Sequence, residues 1–105
     1  MQTERVGTME FVVLGYDGTD SRALERRMAA RPAHLEVVKS LHEADVLVYA
    51  GAMLDDDEKM VGSVIVVNFP SENDLREKWL NDEPFILGNV WEKVEVRRLK
   101  PAQFK

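Results

Sequence analysis

The chain has 105 residues, 45% of them apolar and 31% charged, which fits a single folded domain rather than a disordered segment. Its net charge of −5 argues against a nucleic-acid partner. The absence of cysteine excludes disulfides, thiol catalysis and zinc–thiolate sites, and no run of about 18 apolar residues points to a membrane span.

Residues 1–8 are expected to form a polar N-terminal extension without the apolar stretch of a signal peptide, and residues 9–105 one domain. A cytoplasmic location is the default expectation. Phe11–Tyr16 reads as a strand that ends at Asp17-Gly18. Ser21–Ala30 is helix-prone, with Leu24 and Met28 one turn apart. Pro32 has no amide hydrogen, so the helix is expected to kink or restart there and run on to about Ala44. At about 100° per residue, Glu36, Lys39, Ser40 and Glu43 share one side of that segment. Leu35, Val38 and Leu41 share the other, and His34 falls between Val38 and Leu41, toward the core.

Val46–Met53 and Gly62–Phe69 read as the next two strands. The loop between them carries Asp55-Asp56-Asp57-Glu58, which lacks the ligand spacing and glycine of a calcium loop and reads as a solvated hairpin turn. Ser71 caps a short helix with Asp74 in the capping-box position, and Leu75 and Trp79 give it an apolar side. Trp91–Leu99 reads as the last strand.

The order β-α-β-β-α-β is that of an α+β, ferredoxin-like domain: a four-stranded antiparallel sheet with helices on one face. Its first and third strands are central. Both Phe11-Val12-Val13-Leu14 and Val64-Ile65-Val66-Val67 are apolar at every position, whereas a sheet with one wet face alternates. The second face therefore needs a cover. A second copy of the sheet, forming a homodimer, is the expected one; the C-terminal Pro101-Ala102-Gln103-Phe104 is the alternative.

The candidate site joins His34 to Asn81-Asp82-Glu83-Pro84-Phe85, just before the last strand. Proline forces Glu83 into an extended conformation. A carboxylate from this segment, Glu83 or Asp82, is placed to reach the imidazole and fix its tautomer, as a histidine base requires. Phe85 and Trp91 would wall the cavity. Arg31 is either a solvated helix residue or an anchor for a substrate carboxylate. His34 itself is either a core histidine bonded to a backbone carbonyl or an acid/base group. His42, near a helix C-terminus, reads as structural. Tyr16, Tyr49, Trp79 and Trp91 are expected in the core and cleft lining.

Several segments together resemble the YCII-related (YciI-like) family: Arg31-Pro32-Ala33-His34-Leu35, Leu41-His42-Glu43-Ala44, Ala50-Gly51-Ala52-Met53, Gly62-Ser63 and Glu83-Pro84-Phe85. The resemblance spans Met9 to Lys100. It implies ferredoxin-like domains paired through their sheets in a dimeric α+β barrel, with a histidine–aspartate pair in a cleft. His34 matches the family histidine, and Glu83 stands where aspartate is usual. Some relatives are implicated in removing hydrogen halide from chlorinated ring-cleavage products.

Two functions follow as expectations. One is a lyase- or isomerase-like enzyme acting on a small organic acid, dehydrohalogenation included, with His34, Glu83 and Asp82 as catalytic candidates and Arg31, Phe85 and Trp91 as binding candidates. The other is a dimeric module that binds or senses a small molecule without chemistry. Neither calls for a metal or cofactor, a nucleic acid or a membrane.

Overall fold

Burial along β1 (Met9–Asp17) has a period of two: Phe11, Val13, Gly15 and Asp17 are buried, while Glu10, Val12, Leu14 and Tyr16 are half-buried. That is the signature of a strand with one covered face. The computed structural model describes residues 7–104, so all but Gly7 and Thr8 of the expected extension lies outside the described residues. The remaining elements are α1 (Ala23–Glu43), β2 (Leu47–Leu54), β3 (Met60–Phe69), α2 (Glu72–Lys78), a 3-10 turn at Leu80–Asp82, α3 (Pro84–Leu87) and β4 (Trp91–Leu99). Among these residues no helix is long and apolar enough to cross a membrane.

The strands pair antiparallel in the order β2-β3-β1-β4, with β1 and β3 central as expected. The register sets Val13 opposite both Ile65 and Val96. Phe11, Val13, Ile65 and Val67 from the sheet meet Leu41, Leu75, Trp79, Leu80 and Phe85 from the helical layer. Burying each large apolar side chain contributes about 1.5–3 kcal/mol, so this one layer carries most of the folding drive. Ser71 caps α2 by accepting from the Asp74 amide at 3.1 Å. The acidic run forms the exposed β2–β3 turn, where Asp55 Oδ1 accepts from the amides of Asp57 and Lys59 at 2.9 Å each.

Helix α1 departs from expectation twice. It runs on through Pro32 as one helix, so of the kink or restart expected there the restart does not occur. Proline removes a single amide donor, and the buried anchors Arg27 before it and His34 after it tie both halves to the same surface. The helix is also rotated relative to the apolar spacing. Its buried stripe is Ala23, Arg27, His34 and Leu41, whereas Leu24, Met28 and Leu35 are exposed. The middle of α1 therefore docks on the sheet through polar side chains, and those side chains build the site.

On the opposite face Val12, Leu14, Val64 and Val66 are half-buried. Tyr16 and Tyr49 lie here and not in the core, Tyr49 with 60% of its surface open. Residues 101–104 are exposed, Phe104 to 91%, so the tail does not cover this face.

Candidate active site

Glu83 is built by its own neighbourhood. It precedes Pro84 and is extended, at φ −63° and ψ 126°, as that position demands. Its side chain then folds back to cap α3, with Oε2 accepting from the Phe85 amide at 2.8 Å. His34 Nδ1 meets the same oxygen at 2.8 Å, and Trp79 Nε1 donates to Oε1 at 3.1 Å. The carboxyl group is fully buried, yet three donors surround it, which is what a charge withdrawn from water needs.

A carboxylate at Nδ1 holds the ring proton there and leaves the Nε2 lone pair free. The imidazole lies 3.9 Å from the Phe85 ring at an interplanar angle of 13°, and meets Trp91 edge-on at 6.3 Å and 76°. About a twelfth of the His34 side chain stays open, at 8%. Among the described residues, Arg27 Nε is the only sealed side-chain nitrogen or oxygen without a hydrogen-bond partner. Nε2 of His34, which bonds none of them, therefore keeps contact with its surroundings. This is the geometry a histidine base requires, with one ring nitrogen anchored and the other unblocked.

A second buried polar cluster lies next to it. Arg27 Nη1 donates to both carboxyl oxygens of Asp17, at 3.0 and 3.1 Å, and Nη2 donates to Ser63 Oγ at 3.0 Å. Trp91 Nε1 donates to the same hydroxyl oxygen at 3.3 Å. The guanidinium sits 4.7 Å from the centre of the Phe85 ring. Burial pushes the Asp17 carboxyl above the usual carboxylate range, and Arg27 pulls against that shift. Gly15 makes room for the indole: a Cβ there would fall 2.2 Å from the Trp91 ring.

The structure thus brings His34 to Glu83 and not to Asp82, which is exposed on the 3-10 turn and turned away from the ring. Phe85 has no open surface, so it supports the imidazole and cannot line a ligand seat in this chain. Trp91 packs on His34 and also walls an open depression of about 510 Å³ shared with Gly18, Asp20, Arg26, Asn89 and Glu92. His34 does not line that depression. Arg31 is half-buried on α1 and forms no ion pair with a described residue. Asp17, Arg27 and Ser63 were not expected in the site. The available signal was Arg27, two helical turns before His34 on one stripe.

Residues 9–100 match the model of the YCII-related domain. The protein YciI of Escherichia coli O6:H1 is 32% identical over 98 residues, which cover 88% of this chain and 97% of that protein. The protein named "Derivative of benzaldehyde biosynthesis cluster protein C", from Emericella nidulans, is 40% identical over 81 residues, 70% of this chain and 83% of that protein. Among solved structures, 5-chloro-2-hydroxyhydroquinone dehydrochlorinase of Burkholderia phenoliruptrix, in complex with 2,5-dihydroxybenzoquinone, superposes with a TM-score of 0.77. It is 23% identical, over 90% of this chain and 96% of that one, and shows the same fold.

Proposed function

We propose that this chain, which belongs to the YCII-related domain family, is an acid–base enzyme in which Nε2 of His34 takes a proton from a small organic acid to drive an elimination or isomerisation. The observation that carries the reading is the 2.8 Å contact between His34 Nδ1 and the fully buried Glu83, with Nε2 left unbonded. Glu83 orients the ring and stabilises its charged form after proton transfer. Phe85 holds the plane of the imidazole and Trp91 packs edge-on against it. Arg31 is the candidate anchor for a substrate carboxylate. In an elimination the electron pair of the broken bond to hydrogen becomes a π bond, and a leaving group such as halide departs with its own pair. The dehydrochlorinase with the same fold supports this choice of reaction class.

A library of halogenated and unsaturated organic acids tests the proposal. With any substrate found, His34→Ala is expected to lower kcat/KM by about 10²–10⁴-fold, the usual contribution of a positioned acid/base group. Turnover unchanged in that variant overturns it.

A second reading rests on the depression beside Trp91, which His34 does not line. There the chain would bind a small molecule and leave it unaltered. The same library separates the two: a ligand that raises Tm by mass action and is recovered intact favours binding alone.

The reading includes a homodimer in which a second copy covers Val12, Leu14, Val64 and Val66. Sedimentation equilibrium is expected to give twice the chain mass, and a monomer at all concentrations rejects that part.

A further inference from the structure

We propose that the buried Arg27–Asp17 pair is a positioning pair for His34, acting across the Phe85 ring to set how readily the imidazole takes a proton. This rests on the base role of His34 given above. The guanidinium lies over the Phe85 ring on which the imidazole stacks. Those two distances, 4.7 and 3.9 Å, put the cation within about 9 Å of the imidazole.

Three observations support a task beyond holding the fold. A buried ion pair is a poor source of stability, because desolvation consumes most of the attraction. Arg27 is kept nonetheless, and with its Nε sealed and unpartnered. It also sits on the same inward stripe of α1 as His34, so the helix fixes their separation.

Few other charges face the imidazole. Glu83 approaches from the turn before α3, Arg27 and the half-buried Arg31 share its helix, and Asp17 stands behind Arg27 at the end of β1. Trp79, at the end of α2, and Trp91, at the start of β4, present uncharged rings, and Ser63 on β3 a neutral hydroxyl. Glu83 favours the charged imidazole. Arg27 opposes it, and Asp17 moderates Arg27. Removing either member of the pair must therefore move His34 in opposite directions, which a mere loosening of the fold would not do.

The test is NMR titration of the His34 ring, with the exposed His42 assigned through His42→Gln. Arg27→Met leaves Asp17 facing the site and is expected to raise the His34 midpoint by about one pH unit, the coupling of charges at this range in an interior. Asp17→Asn, which keeps an acceptor for Arg27, is expected to lower it by a smaller amount, since Asp17 stands farther from the ring. Arg27→Lys keeps the charge and is expected to leave it in place. Should Arg27→Met fail to fold, Arg27→Gln, whose amide still donates to Asp17, is expected to give the same upward shift. Shifts of one sign in the Arg27 and Asp17 variants, or no shift in either, overturn the proposal. The titration needs no substrate. Opposed shifts in a protein that turns nothing over would uphold the pair and remove the base role, whereas loss of turnover without those shifts would do the reverse.

Discussion

The two buried carboxylates, Glu83 and Asp17, are held by different means. Glu83 receives a backbone amide, an indole and an imidazole, and its position is set by the first turn of α3. Asp17 depends on one guanidinium nitrogen, which donates to both of its oxygens, and burial pushes its pKa up. One carboxylate is fixed by backbone geometry, the other by a single charged partner. Groups tied to the backbone orient chemistry. Groups tied to one another set the field in which it runs.

The largest effect expected from breaking this contrast is Asp17→Ala. It strands a buried cation and is expected to cost about 3–5 kcal/mol in chemical denaturation. A loss below about 1 kcal/mol, the size of an ordinary surface change, would show that Arg27 finds water and that the contrast is wrong. Glu83→Gln is milder, at about 1–3 kcal/mol, because an amide oxygen still caps Phe85. Its NH₂ must then face a former donor. That donor is the Trp79 N–H, because the oxygen that caps Phe85 is also the one His34 meets; the ring is expected to keep its Nδ1 proton, which imidazole ¹⁵N shifts check, while activity falls for want of a charge beside the imidazolium.

The smallest effect comes from the exposed Asp20–Arg26 pair, at 2.7 Å, in which Arg26 holds the Asp20 carboxyl well below the usual carboxylate range. Its folded pKa lies below the unfolded one. Its stabilisation is thus present above the ordinary carboxylate pKa and is lost as pH falls toward the folded value. The Tm gap between wild type and Asp20→Asn is expected to be small, to close as pH falls below about 4, and to shrink with added salt. Asp17 has the opposite sign: its contribution is full at low pH and fades as pH rises through its raised pKa.

The sheet was legible because strands announce themselves through apolar runs. Trp91–Leu99 has the expected bounds, and β1 and β3 are central. Helical periodicity turned His34 inward but left it between a core residue and an acid/base group, and the resemblance to the YCII-related family favoured the cleft. The choice between Asp82 and Glu83 was not readable, because both precede Pro84 and only the 3-10 turn decides which one faces inward. Arg27 was hidden because a charged helical residue ordinarily reads as solvated, and its burial depends on Asp17, a partner at the end of the preceding strand that no helical periodicity shows. Leu24, Met28 and Leu35 misled for the converse reason: the polar anchors, not the apolar spacing, set the rotation of α1.

Glu83 is at once the cap of α3 and the partner of the imidazole. A single substitution there strips the short helix of its first-turn acceptor and the ring of its anchor together, so helix start and ring orientation cannot be varied separately at this position.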